Sequence, residues 1–409
     1  MRATGSLRSV AEHRAAVLAL MAPVPVVQTP LTQALGLWLA ADLHAGTDLP
    51  RWDNSAMDGY AVRSSDTVGA DVVPVRLRVV ADLPAGSSEV PVVEPGTAAR
   101  IMTGAPVPPG ADAVVSVEVT DAGTVEVVVS AAARPGAHIR PVGDDVRAGD
   151  LVVPAGTLLG PRQVAALASV GAVAAPTHRR VVVAVLSTGS ELVEPGVEPG
   201  RGQIPDSNSL LLAGLAAGAG AEVQRIGGVP DDPLELRRVL DRLDGAVDLV
   251  VTSGGVSMGA YEVVRDVLEP LPGTAFVTVA MQPGKPQGLG TLPGGTPILS
   301  LPGNPVSAFV SFEVFVRPAI ERLAGGPASA AELVLATVDD EWSTPQGRAQ
   351  YMPVVLEGSG TDLHARRAVS GGSGSHLVAG LARADGLAVV PVDVERVRAG
   401  DLLPVMRTP

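Results

Sequence analysis

Asp248–Gly259, DLVVTSGGVSMG, decides how this chain is read. Leu249, Val250 and Val251 form a short apolar run rich in β-branched residues, the pattern of a parallel strand buried on both faces. Thr252-Ser253-Gly254-Gly255 ends the run. Two adjacent glycines permit positive φ and let backbone approach a ligand without a Cβ in the way. A helix is expected over Tyr261–Leu268. Strand, glycine turn and helix together aim backbone N–H groups and a helix dipole at one point, which suits an anion. A tight turn with no ligand would use the same residues, and a lone glycine-rich turn is a weak signal.

Four more apolar runs share the pattern. Val181–Leu186 ends in Ser187-Thr188-Gly189-Ser190-Glu191. Val223–Val229 ends in Pro230-Asp231-Asp232. Ala275–Met281 ends in Gln282-Pro283-Gly284-Lys285-Pro286, and Pro297–Leu301 in Pro302-Gly303-Asn304-Pro305. Ligands of open α/β sheets sit beyond the carboxyl ends of the strands. Five strand ends carrying Gly, Ser, acid or Lys therefore gather the polar chemistry at one edge. Helices are expected between them over Ser207–Gly220, capped by Asp206 or Ser207, and from Asp232-Pro233-Leu234-Glu235 to Leu243. Pro305–Leu323 reads as a long helix with Asn304 as cap.

Farther out, Ser9-Val10-Ala11-Glu12 is a capping box opening a helix to about Met21, and a second helix is expected over Leu31–Ala41. Asp48–Val62 reads as a loop, with Ala56, Met57, Tyr60 and Ala61 interleaved among acids as if a carboxylate were held in a partly buried turn. Val72–Val129 has the pattern of short strands, an inserted β domain. Pro161–Val170 reads as a helix packing back on the N-terminal helices. From Ala331 onward short strands return.

The bulk properties bound the possibilities. At 409 residues the chain is long enough for two to four domains. Hydrophobic residues make up 46% and mean hydropathy is +0.31, so the chain is globular. Net charge is −13 and pI about 4.9, which argues against nucleic acid and anionic membrane as partners. Cysteine is absent, which excludes disulfides, thiolate metal sites and Cys nucleophiles. Neither a signal peptide nor a spanning stretch is read, so direct membrane insertion is not expected and a cytoplasmic protein is.

Several stretches also resemble a known family. DNSAMDGYAV (53–62), IMTGAPVPPGADAVV (101–115), STGSEL (187–192), SGGVSMG (253–259), PGKP (283–286) and LPGNPVSA (301–308) resemble the MoeA family, the molybdopterin molybdenumtransferases. Gephyrin's E domain belongs to the same family. The resemblance spans about residues 9–409 in the family's order. It implies a homodimer of multidomain α/β plus β chains. Each would have a split helical domain (1–48 and 140–178), an inserted β domain (49–139), a molybdopterin-binding α/β domain (179–326) and a C-terminal β-barrel (327–409). It implies a reaction in which adenylylated molybdopterin is hydrolysed with Mg²⁺ present, AMP leaves, and molybdate enters the dithiolene.

Carried over residue by residue, the functional acids fall on Asp58, Asp145, Glu191 and Asp231, with Thr103 beside them. Glu191 and Asp231 are the implied Mg²⁺ ligands. Ser257, Lys285, Pro286, Ser307 and Ser375 match positions for oxyanion or nucleotide binding, and Arg348 matches a family arginine. The turns add Gly254, Gly255 and Asn304. Read without the resemblance, Glu191 and Asp231 could equally cap loops, and Lys285 could be a surface lysine. The chain departs from the family at Ala260, Thr278 and Gln282, where an acid and two lysines are common, and at Pro353, where a second arginine is. The alternative reading is therefore a gephyrin-like dimeric scaffold that grips a peptide segment of a protein partner such as a membrane receptor.

Overall fold

The computed structural model describes residues 7–256, 262–328, 331–360, 362–369 and 378–408. Helix α1 (Val10–Ala19) opens on the expected capping box, Ser9 and Glu12 exchanging side-chain and backbone hydrogen bonds. Its buried residues face the α/β region. Val17 joins a core with Val181, Leu212, Phe312 and Ile320, and His13 meets Phe315 edge-on at 4.6 Å. Just before α1, Arg8 bridges to Val279: its N–H donates to Thr278 O at 3.0 Å and its carbonyl accepts from Ala280 N–H at 2.8 Å.

The helix expected over Leu31–Ala41 is not formed. A single 3₁₀ turn, Leu31–Gln33, is followed by Gly36 at φ +76° and a bridge from Leu39 N–H to Thr157 O. The apolar spacing is nonetheless used, since Leu31, Ala34 and Leu39 are buried with Val153, Leu159 and Leu167. Leu167 comes from α2 (Pro161–Ser169), so α2 packs on this segment and not on α1.

The inserted sheet holds β1 (Gly59–Val62), β2 (Val75–Leu83), β3 (Thr97–Ile101), β4 (Ala113–Ser116) and β5 (Glu126–Val129), in the order β4-β1-β3-β2-β5. The presumed loop 48–62 thus ends in an interior strand, with Tyr60, Ala61 and Val62 wholly buried. A four-residue strand buried on both faces shows no polar alternation, so the sequence alone carries no strand signal here.

The α/β region runs β6 (Val182–Thr188), α3 (Asn208–Gly218), β7 (Glu222–Val229), α4 (Pro233–Leu243), β8 (Leu249–Ser253), α5 (Val263–Leu268), β9 (Ala275–Thr278), β10 (Met281–Gln282), β11 (Pro286–Thr291) and β12 (Pro297–Leu301). Strand order is β7-β6-β8-β12-β11-β9. Strands β6, β7, β8 and β12 are parallel, and β11 is antiparallel to both β12 and β9. All five strand ends read from sequence therefore share one edge. Strand β11 was not expected, because Gly288 and Gly290 interrupt its pattern. A Cβ on Gly288 would lie 2.8 Å from the Phe276 ring, so the close contact with β9 requires glycine.

Residues 305–323 form one continuous rod, α6 (Pro305–Ser311), a π-helical segment Phe312–Val316 and α7 (Arg317–Leu323). The closing barrel holds β13 (Leu333–Val338), β14 (Ala349–Ser359), β15 (Asp362–Arg367), β16 (Gly386–Val390) and β17 (Leu402–Arg407). Pairing runs β14-β15-β13-β17-β16 and back to β14, so no edge is left. Strand β10 leaves the α/β sheet and adds to the start of β14, Met281 opposite Ala349 and Gln282 opposite Gln350. Among the described residues no helix is long and apolar enough to cross a membrane.

Candidate functional site

From β6 the chain passes outward to β7 and then returns past β6 to β8, so the connections leave this point in opposite directions. Such a switch point opens a crevice at the carboxyl edge of the sheet. A cleft of about 1190 Å³ lies there. Its walls are the ends of β6 (Ser187, Thr188, Gly189, Glu191), β8 (Ser253, Gly254, Gly255) and β12 (Pro302, Gly303, Asn304), with Ser307 in the first turn of α6. The loop Gln282–Pro286, the start of α3 (Asp206, Asn208), Asp231 and Glu262 complete it.

The glycine turn works differently from the sequence expectation. Gly254 N–H is already bonded to Leu301 O at 3.1 Å. What glycine supplies here is room: at φ +98°, a Cβ on Gly254 would lie 2.7 Å from Thr188 O. The turn therefore lets β6, β8 and β12 close up beneath the cleft. Gly189 does the same for an acid. At φ +154°, a Cβ there would lie 2.6 Å from Glu191 Oε2, so the Glu191 carboxylate folds back over it.

Asp231 is tied to the same loop. Its Oδ2 accepts from Ser190 N–H at 3.0 Å, and its own N–H donates to Ser190 Oγ at 3.0 Å. This reciprocal pair sets Asp231 next to Glu191 in sequence-distant loops. Both are exposed and neither has a cationic partner among the described residues. Asp232, the next residue, caps α4 through Leu234 and Glu235 N–H.

Of the basic side chains in the described wall, Lys285 is the only one, against Glu191, Asp206, Asp231 and Glu262. An anionic ligand entering such a cleft needs a cation with it. No group of three or more His, Cys, Asp or Glu able to hold a metal exists among the described residues. Two exposed carboxylates do fit Mg²⁺, which keeps several waters and takes one or two carboxylates plus substrate phosphates.

Asp58, Thr103 and Asp145 form a separate group. Asp58 Oδ1 accepts from both the N–H and the hydroxyl of Thr103, each at 2.7 Å. The Thr103 N–H, then its hydroxyl, hold the Asp58 carboxyl below the usual carboxylate range. Asp145 sits on the adjoining loop, its N–H bonded to Leu49 O at 3.0 Å. Loops 49–58, 102–106 and 138–146 interlock through Asn54–Ser55 paired with Ile139–Arg140, and through Gly104 N–H to Ser55 O. None of these three residues lines the α/β cleft.

Arg348 is half-buried immediately before Ala349, the residue paired with Met281, and so flanks the Lys285 loop without lining the cleft. Pro286 and Asn304 line the cleft, as does Ser307, which is buried. Ser257, Ala260 and Ser375 lie outside the described residues. Of the wall residues, Asp206 and Asn208 were not singled out for ligand binding from sequence. The signal was present in Pro205-Asp206-Ser207-Asn208-Ser209, a dense polar run ahead of an all-apolar helix.

Residues 8–171 match the MoeA N-terminal region (domain I and II), 184–322 the probable molybdopterin binding domain, and 336–407 the MoeA C-terminal region (domain IV). The chain is 45% identical over 407 residues to molybdopterin molybdenumtransferase 2 of Mycobacterium tuberculosis, covering 98% of this chain and 99% of that one. With molybdopterin molybdenumtransferase 1 of the same organism the identity is 39% over 420 residues, 98% of each chain. A molybdopterin biosynthesis MoeA protein from Pyrococcus horikoshii superposes with a TM-score of 0.83 at 32% identity, covering 98% of this chain and 99% of that one.

Proposed function

The chain belongs to the MoeA family, and on that premise we propose that it is a molybdopterin molybdenumtransferase of the cytoplasm. Its substrates are adenylylated molybdopterin and molybdate, and AMP is released. One observation carries the reading: two exposed carboxylates without a cationic partner among the described residues, Glu191 and Asp231, the second tied to Ser190, line the same switch-point cleft as Lys285.

The substrate's phosphoanhydride is cut when water adds to phosphorus and AMP departs with the bridging oxygen. Charge must be neutralised at the phosphates throughout. Lys285, itself exposed, supplies a protein cation there. Ser307, in the first turn of the Pro305-started rod, offers a hydroxyl and sits where unpaired N–H groups favour anions. Glu191 and Asp231 would hold Mg²⁺, which when bound would supply positive charge at the phosphates. The Ser190–Asp231 pair ties the Asp231 loop to the residue beside Glu191.

Asp58, Thr103 and Asp145 enter through a homodimer, in which the cluster of one protomer faces the cleft of its partner. Their separation from the cleft within one chain supports this. The experiment is to add molybdate and Mg²⁺ to purified protein holding adenylylated molybdopterin. AMP should appear only when molybdate is present. Binding without AMP release would overturn the assignment and leave the peptide-gripping scaffold.

A further inference from the structure

Among the polar atoms sealed from water and left without a hydrogen-bond partner, a group collects where β6 and α3 meet the cleft. Asp206 Oδ2, Asn208 Oδ1, Ser187 Oγ and Thr188 Oγ1 all belong to residues of its wall. Buried polar groups in folded proteins are almost always paired, and an unpaired cluster in a cleft marks the place of an absent ligand group or water. Asp206 is only 1% exposed.

Both carbonyl-type oxygens are fixed as acceptors. Asp206 Oδ1 is used by Ser209 N–H at 3.0 Å, which anchors the carboxylate at the start of α3 and leaves Oδ2 over. Asn208 Nδ2 donates to Gly303 O at 2.6 Å and to Ser253 Oγ at 2.8 Å. Gly303 O can only accept, so the amide nitrogen must face it and Oδ1 is left over. Asp206 Oδ2 and Asn208 Oδ1 are thus two buried acceptors beside α3 that no donor among the described residues satisfies, and a ligand group seated against them must bring donors.

We propose that Asp206 and Asn208 read the amino-pyrimidinone edge of a pterin, whose amino group and adjacent ring N–H form a planar donor pair. This rests on the molybdopterin reading of the cleft and adds which end of the ligand lies against α3. A carboxylate is the strong acceptor for such an edge, as it is for the guanidinium fork. Gly254 lets the ends of β6 and β8 approach beneath these residues. Lys285 and Ser307 then take the phosphate end.

A ribose diol is the other donor pair in the same substrate, and the experiment separates the two. Asp206→Asn keeps an oxygen for Ser209 N–H and keeps the cap, but replaces the free acceptor by a donor. Asp206→Ser also keeps the cap and simply deletes the acceptor. The dissociation constants of 6-hydroxymethylpterin and of AMP are measured for the parent and both variants, with thermal midpoints as the fold control. Pterin affinity should fall at least about tenfold in both variants while AMP affinity stays within about twofold. Unchanged pterin affinity, a parent that binds no pterin, or a loss confined to AMP or shared equally with it would overturn the proposal. A parent that binds pterin through Asp206 yet releases no AMP from adenylylated molybdopterin would sink the transferase reading and leave this one standing.

Discussion

In the cleft, Glu191 and Asp231 are exposed on two loops: the Glu191 carboxylate folds over Gly189, and Ser190 ties Asp231 by two hydrogen bonds. On the inserted sheet, Asp58 is exposed and oriented by one residue, Thr103. The first arrangement is a shaped cavity and the second is a projecting acid. A shaped cavity can select a ligand by itself. A projecting acid acts only on something brought to it, which is what a second protomer would do. The two regions also rest on different supports. The cleft stands on a core that includes α1 and its buried His13, whereas the inserted sheet carries carboxylates held by backbone N–H groups, Asp112 by Ser64 and Asp121 by Val128.

Acid should break that comparison most strongly. Burial pushes His13 down to about 4 from 6.5, so the folded state refuses a proton that the unfolded state accepts. Stability of the α1-docked region is therefore full above pH 6.5 and falls by about 3 kcal/mol towards pH 4. The depressed Asp112 and Asp121 carboxyls act in a lower window of the same sign, stabilising the inserted sheet above 3.8 and losing that contribution only below it. Hydrogen exchange followed at pH 7, 5 and 4 should show α1 and α7 opening before β1 and β3. His13→Gln should flatten the first transition, and equal opening of both regions would refute the division.

Next in size is the composite site. Asp58→Ala and Glu191→Gln should each cut molybdate-dependent AMP release by about a hundredfold with the fold intact. Mixed one to one after dissociation, they should recover about a quarter of parental activity, since half the dimers then contain one complete site. No recovery would place Asp58 and Glu191 in action within one chain or apart altogether.

Asp231→Asn separates charge from the Ser190 tie. The amide oxygen can still accept from Ser190 N–H, so stability should change by less than about 0.5 kcal/mol. Mg²⁺ affinity should fall about 10- to 100-fold, and equal titration curves would remove Asp231 from the metal site.

The smallest effect should come from restoring cations. Thr278→Lys with Gln282→Lys puts back two positive side chains near Lys285, and AMP release should rise by about tenfold. A parent already at the rate of its relatives would mean that the cleft does not lack those lysines.

The five strand ends and their common edge were legible because buried parallel strands leave unbroken runs of Val and Leu. Strand β1 was hidden for the same reason at shorter length: Gly59–Val62 is too brief for periodicity and follows Asp58. Strand β11 was hidden by Gly288, which the structure needs for contact with Phe276. Leu31–Ala41 misled because its apolar spacing serves burial while Gly36 at φ +76° breaks the helix. At the site, acids on exposed loops were visible as isolated polar residues. Asp206 and Asn208 were not, because a helix start gives Asp and Asn an ordinary reason to be there.

Strand β10 belongs to two bodies at once. It is two residues long, follows β9 of the α/β sheet, pairs with β14 of the barrel, and leads directly into Lys285. Arg8 grips the same segment from the N-terminal side at Thr278 and Ala280. Mechanically this is a suture: tilting the barrel pulls the thread that carries the lysine. Thermodynamically the pull runs both ways. A ligand that fixes Lys285 stiffens the barrel's attitude, and anything that clasps the barrel in one attitude changes the ligand's hold by the same free energy.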